Sequence, residues 1–233
     1  MHIPISKRLR CCAGLIDAGA RVADIGTDHG YLAIYLLQNQ LAASVIAADL
    51  RTKPLDNARA NARRFGLQEQ ITFVQSDGLA DLDPVAYDTV VCAGMGGDLI
   101  AQILAAAPWL RSRGDTLILQ PQSAVHALRR WLNENGFAVQ AERLVQDGGF
   151  LYPVMRVQAG DAAPLTPGQH FVPQHLAAEP LLAPYLLQMR GNLQKTVAGL
   201  AKARSDAERE KLTYYAAALR EVEEMRIVYG IGE

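Results

Sequence analysis

Short, continuous apolar runs alternate with stretches of helical periodicity along the first two thirds of the chain. The runs fall at 22–25, 44–48, 71–74, 89–93 and 116–120, and their lack of polar alternation predicts strands covered on both faces. Between them, apolar positions at helical spacing predict helices near 31–39, 53–65, 98–107 and 123–135. Strand then helix, repeated, means a parallel sheet. After Gly136 the pattern changes, because apolar runs at 137–144 and 151–157 flank Gln146-Asp-Gly-Gly149, which predicts a closing antiparallel hairpin.

From about 160 the periodicity breaks. Pro164, Pro167, Pro173, Pro180 and Pro184 interrupt any helix, so 161–184 is expected to be a connector. Beyond it, Leu186, Met189, Leu193, Val197 and Leu200 form one helical stripe over 185–203, and Leu212, Tyr215, Leu219, Val222 and Met225 another over 206–229. Ser205 with Glu208 three residues on fits a capping box at the second start. The segment 185–233 therefore reads as a helical hairpin, a two-stranded coiled-coil appendage to a sheet domain at 1–160. Lys195, Lys202 and Arg204 crowd towards the tip of its first helix. They are candidate RNA contacts, with a solvated helix face as the competing explanation.

Composition bounds the class. With 233 residues, 50% apolar, a net charge of −1 and a mean hydropathy of +0.02, the chain has enough apolar side chains for one sizeable core and is not disordered. No apolar run reaches membrane-spanning length and no long apolar stretch follows the basic N-terminal residues, which leads to the expectation of a cytoplasmic protein without a membrane partner. Cys11, Cys12 and Cys92 make an odd count, and no Cys/His cluster has zinc spacing. Neither a disulfide framework nor a metal is expected.

The chemistry begins at Val22-Ala-Asp-Ile-Gly-Thr-Asp-His-Gly-Tyr-Leu32, a strand, a glycine-bracketed turn and a helix start. Ligands bind at such turns in open α/β sheets. Gly26 and Gly30 permit backbone torsions that a Cβ would forbid, and Asp24 ends the strand facing the crevice. A dinucleotide-binding loop keeps its middle positions small for a diphosphate, whereas here Asp28 stands where the second glycine would be. A carboxylate there repels a diphosphate and suits a cation such as the sulfonium and amino group of S-adenosylmethionine (SAM).

Acids recur at the following strand ends. Asp49 lies where it can accept from both ribose hydroxyls of an adenosyl group, with a helix N-terminal role next to Lys53 and Pro54 as the alternative. Asp77 can accept from an adenine amino group while Gly78 permits the turn past it; a plain Asp-Gly turn is the alternative. In Val91-Cys-Ala-Gly-Met-Gly-Gly-Asp98, Gly94, Gly96 and Gly97 predict a loop whose backbone approaches a ligand, and Met95 can cover an aromatic ring. Gln120 and Gln122 in Leu119-Gln-Pro-Gln122 offer carboxamides able to read a nucleobase edge. Lys7, Arg8 and Arg10 predict a basic N-terminal helix beside the cleft, suited to phosphates.

Taken together, Ile5-Ser-Lys-Arg-Leu9, the 22–32 stretch, Ala93-Gly-Met-Gly-Gly97 and Leu119-Gln-Pro-Gln122 closely resemble the bacterial tRNA adenine-N1 methyltransferases that modify position 22, the TrmK family. The resemblance covers 3–157 and extends to the helical hairpin, since the family carries a C-terminal coiled coil. It departs from the family's usual residues at Gly30 and Gln122. It implies a class I, Rossmann-like methyltransferase fold of seven strands, SAM as cofactor, and tRNA as substrate, without a metal; a monomer is the expectation for the chain. Carried over by motif, Asp24, Gly26, Asp28, His29 and Gly30 form the methionine-side loop, Asp49 the ribose contact, Asp77 with Gly78 the adenine contact, and Gly94 to Gly97, with Met95 and Gly96 between, the loop at the transfer site.

Adenine N1 carries an in-plane lone pair and attacks a methyl sulfonium without a strong base, so positioning and charge carry the reaction. Asp28 is the candidate charge stabiliser, His29 and Tyr31 are candidates to stack on an extruded base, and Gln122 to read its edge. Three alternatives stay open on the residues alone: a methyltransferase for another RNA, a protein or a small molecule; an NAD-dependent oxidoreductase, which shares the first βαβ unit; and a non-catalytic RNA-binding module.

Overall fold

The computed structural model describes residues 3–202 and 205–232. Its centre is one seven-stranded sheet in the order β3-β2-β1-β4-β5-β7-β6, built from β1 (Ala20–Ile25), β2 (Ala42–Asp49), β3 (Ile71–Gln75), β4 (Thr89–Gly96), β5 (Thr116–Ser123), β6 (Phe137–Asp147) and β7 (Phe150–Ala159). The first five strands are parallel, and β7 runs antiparallel to both β5 and β6. Strand order therefore reverses between β1 and β4, which opens the crevice at their carboxyl ends.

The strands read as unbroken apolar runs because successive residues feed two different cores. Val22, Val91 and Ile118 point to a cluster with α1 (Lys7–Ala13), α2 (Tyr31–Gln38) and α3 (Thr52–Arg64). Their neighbours Ala23, Cys92 and Leu117 point to the other, under α4 (Gly97–Ala105), α5 (Trp109–Arg113) and α6 (Val125–Glu134). A third cluster joins α7 (Pro167–Phe171), α8 (Leu182–Leu200) and α9 (Asp206–Val228) to Leu144 of β6 and Leu151 of β7.

Every expected strand is present, and the helices lie within a few residues of the expected spans. Three differences have physical causes. The five-residue α5 is too short to show a period. The glycine run after β4 is not a free loop: β4 stays paired with β5 through Gly96, with register shifts around Met95, and Gly97 already opens α4. The stretch expected as a proline-broken connector holds α7, with Pro167 at a helix start and Thr166 and Gln169 closing a capping box, followed by a 3₁₀ turn at Gln174–Ala178. Its Phe171, Val172 and Leu176 are buried.

The helical pair is there, and Ser205 caps α9 with Glu208 in a capping box as the spacing predicts. Its burial is uneven. Leu186, Leu193 and Val222 are buried, whereas Val197, Leu200 and Leu212, further from the sheet, are only half-buried. Among the described residues, no helix is long and apolar enough to cross a membrane.

Candidate active site

The carboxyl ends of β1 to β5 open into a cavity of about 600 Å³, within the about 300–1,000 Å³ of sites that take a whole small ligand. It is built first from backbone. Gly26, Asp28 and Gly30 all have positive φ, at 71°, 52° and 71°. Two of these are glycines for which the left-handed region costs nothing, while Asp28 is held in a conformation that a short polar side chain tolerates better than most. This twist throws the Asp28 carboxylate outward, where its side chain is 66% exposed. Gly30 caps α2, and a Cβ there would press on Ala58 of α3 at 3.0 Å. Asn61 of α3 ties the same loop by donating to the His29 carbonyl at 2.9 Å.

Where the loop's amides go decides what it can bind. Gly26 and Thr27 both donate their N–H groups to the Ala48 carbonyl of β2, at 2.8 and 2.9 Å, and Gly30 donates to the Thr27 carbonyl. A diphosphate cradle needs such amides free. Here these three are consumed by the fold, and four acids, Asp24, Asp28, Asp49 and Asp77, line the cavity.

Asp24 and Asp49 are buried at the tips of β1 and β2. Asp24 accepts from the Thr27 hydroxyl at 2.7 Å. Burial pushes its carboxyl up to about 6, against the lowering effect of the Thr27 bond, and Asp49 nearby pushes the same way. Asp49 accepts from the Arg51 backbone N–H at 3.0 Å. Asp77 is exposed on the wall after β3, beside Gly78 with φ of 59°. A row of acids in one cleft, two of them desolvated, is a site for a ligand with hydroxyls, amino groups and positive charge.

The opposite wall is the β4–β5 edge. Gly94 takes φ of 81°, and its N–H donates to Gln120 Oε1 at 3.1 Å. Gln120 is fully buried and also accepts from Arg8 at 3.3 Å. Met95 packs over the first loop so closely that a Cβ on Gly26 would lie 2.3 Å from its methyl.

All four candidate catalytic residues, Asp28, His29, Tyr31 and Gln122, line this cavity. His29 and Tyr31 stack on each other with centroids 5.5 Å apart, and His29 Nε2 lies 3.6 Å from Asp28. Of the candidate cofactor residues, Asp24, Gly26, Asp28, Asp49, Asp77, Gly78, Gly94 and Met95 line the cavity, whereas Gly30 and Gly96 stand behind it as packing glycines.

The basic residues divide differently. Arg8 lines the cavity, but its guanidinium is committed: it donates to Asp147 at 3.1 Å and to Gln120, and lies 4.9 Å over the Tyr152 ring. It braces α1 against the tip of the β6–β7 hairpin rather than standing free for a phosphate. Lys7 and Arg10 are exposed on α1, Lys195 on α8 and Lys202 in the turn after it, all outside the cavity. Arg204 lies outside the described residues. Gln120 is the residue that sequence reading undervalued. Its place opposite Ala93 in the β4–β5 register is the signal that identifies it.

SAM fits this cavity on these observations: an acid row for its hydroxyls and charges, blocked loop amides that refuse phosphates, and a volume for one such molecule. A sheet of this order with this crevice defines a class I SAM-dependent methyltransferase. A family profile described as Methyltransferase domain matches residues 5–155. The Bacillus subtilis tRNA (adenine(22)-N(1))-methyltransferase is 38% identical over 161 residues, which span 69% of this chain and 67% of that one. The crystal structure of the B. subtilis m1A22 tRNA methyltransferase TrmK superposes with a TM-score of 0.83 at 29% identity, covering 96% of this chain and 99% of that one. Streptococcus pneumoniae Sp1610, solved in complex with S-adenosyl-L-methionine, gives 0.78 at 29% identity over 93% of this chain and 100% of that one. The chain belongs to the TrmK family of methyltransferases.

Proposed function

We propose that this protein transfers the methyl group of SAM to N1 of adenine 22 in tRNA. The observation that carries the reading is the acid-lined crevice of a TrmK-family chain, in which the first-loop amides of Gly26, Thr27 and Gly30 are spent on the fold and not on a diphosphate. That observation also counts against the NAD-dependent alternative.

SAM supplies a methyl group activated on a sulfonium. In this reading Asp49 holds its ribose, Asp77 and Gly78 its adenine, and Asp24 with Asp28 its charged end, which their shared place on the cavity wall supports. The lone pair of adenine N1 forms the new N–CH₃ bond as the S–CH₃ bond breaks, and the electron pair stays on sulfur. No proton needs to leave N1 first. The residues therefore act by placement and charge: Gln120 fixes the Gly94 backbone, Gln122 faces the transfer region, and His29 with Tyr31 presents a flat surface to an extruded base. Positive charge passes from cofactor to base during the step, so an outward Asp28 carboxylate stabilises both ends of it. We take Lys7, Arg10, Lys195 and Lys202 as the phosphate-facing cations, and the enzyme as a monomer acting on tRNA in the cytoplasm.

The test is direct. Purified protein, SAM and an unmodified tRNA transcript are incubated, and the RNA is digested and its nucleosides mapped. N1-methyladenosine at position 22 is expected; transfer to another nucleoside, or none, would overturn the reading.

A further inference from the structure

A second pocket of about 270 Å³ lies between the β5–α6 turn and α8. It shares Gln122 with the cofactor cavity, so the two open on either side of one carboxamide. Its size falls just under the about 300–1,000 Å³ of sites that take a drug-sized ligand, which suits one planar heterocycle. The aromatic side of the wall is ordered: His126 stacks on Phe171 with centroids 4.5 Å apart and planes 9° from parallel, and Tyr215 meets the same imidazole edge-on, its hydroxyl 3.4 Å from Nε2. Tyr152, already under the Arg8 guanidinium, faces the pocket from β7.

The polar side is open to a partner. Gln188 and Asn192 stand one helical turn apart on α8, both exposed, and their carboxamides make no hydrogen bond among the described residues. Arg129 stands behind the pocket, 1% exposed and bonded to Glu142 and to the His170 and Phe171 carbonyls, and so fixes the wall that carries Phe171. Rings for stacking and carboxamides with paired donors and acceptors are the chemistry that recognises an unpaired nucleobase.

We propose that this pocket binds the base of a nucleotide adjoining the target adenine, and that Gln188 and Asn192 read its edge. The proposal rests on the tRNA reading above, since only a polynucleotide substrate has a second base to place. It gives the helical pair a role in substrate choice at single-nucleotide range, through side chains that touch neither SAM nor the target.

The experiment uses the full-length protein as wild type and as the double variant Gln188→Ala with Asn192→Ala, both positions being exposed on a helix. Methyl transfer is measured on intact tRNA and on two substrates made abasic at one or other nucleotide flanking the target. With wild type, removing one of the two bases is expected to raise KM roughly tenfold, the scale of one lost base stack. The double variant is expected to show a KM for intact tRNA raised by a similar factor, the same KM on the abasic substrate, and an unchanged KM for SAM. Indifference of wild type to both abasic sites, a double variant with the wild-type KM, or losses that multiply instead of coinciding would overturn the subsite. Absence of N1-methyladenosine with wild type on intact tRNA would instead overturn the function itself.

Discussion

Asp28 occupies a glycine's conformation while presenting a charge, and the two properties can be separated by substitution. Asn tolerates the left-handed region as Asp does and has no charge. Asp28→Asn is therefore expected to melt within about a degree of wild type and to lose at least tenfold in transfer rate. A radiolabelled-SAM assay beside a thermal melt reads both quantities, and near-normal transfer would remove Asp28 from the mechanism. Asp24 makes a different prediction. Its folded pKa of about 6 lies above the ordinary carboxylate value, so between those pH values the folded state holds a proton that the unfolded state has lost. The group's contribution to stability is then greatest in acid, declines as pH rises from about 4 to 6, and is level above 7, a total on the order of 3 kcal/mol. Urea denaturation of wild type and Asp24→Asn across that range should show their difference changing with this profile; a difference independent of pH would contradict it. The acids at strand ends were legible in the sequence because each follows an apolar run. Gln120 and Arg8 were not, because their partners, the Gly94 amide and Asp147, are set by register and by a contact spanning 139 residues.

At the scale of elements, the crevice depends on how tightly α4 begins against the turn from β5 to α6. Gly97 is buried there, and a Cβ on it would lie 2.5 Å from the Ala124 carbonyl oxygen, which is backbone and has nowhere to go. Gly97→Ala is expected to cost about 1–3 kcal/mol by overpacking. For a chain of this size that lowers Tm by roughly 2–4 °C for each kcal/mol, a shift that differential scanning calorimetry resolves. Strands and long helices were readable because each carries two or more periods of its pattern. Five-residue α5 and α7 carry barely one, and the run at 94–97 announces flexible backbone without saying that β5 pairs with it through Gly96.

For the whole molecule, the question is how the C-terminal helices are fastened. Arg129 of α6 is fully buried and donates to Glu142 of β6 at 2.5 Å, to the carbonyls of His170 and Phe171 at 2.9 Å, and to the Tyr185 hydroxyl of α8 at 3.3 Å. The guanidinium beside Glu142 holds that carboxyl below its usual range despite burial, with His175 adding a bond at 2.7 Å. Breaking such a pair from one side strands a buried charge, so Arg129→Leu is expected to cost about 3–5 kcal/mol and Arg129→Leu with Glu142→Met to recover part of it. Chemical denaturation of the three proteins measures the difference, and equal stability of single and double variants would contradict the account. The exposed cations act over a longer range. Replacing Lys7 and Arg10 by Ala should weaken tRNA binding and flatten the plot of log affinity against log salt by roughly one unit per lost phosphate contact, with SAM affinity unchanged. An unchanged slope would place the RNA elsewhere. Prolines made 161–184 look like a tether, yet Phe171, Val172 and Leu176 fill a core whose other half comes from helices and strands on either side of it in the chain.

Because one arginine gathers α6, β6, α7 and α8 at a single point, the C-terminal third is not a detachable module. A chimera that grafted a relative's helices onto this sheet at residue 160 would keep Arg129 and Glu142 but lose their side-chain partners Tyr185 and His175 and the placement of the two carbonyls that Arg129 bonds. Such an exchange has to carry α6 and β6 with it, so this family's helical appendages and the α6–β6 segment are expected to diverge as one inherited unit.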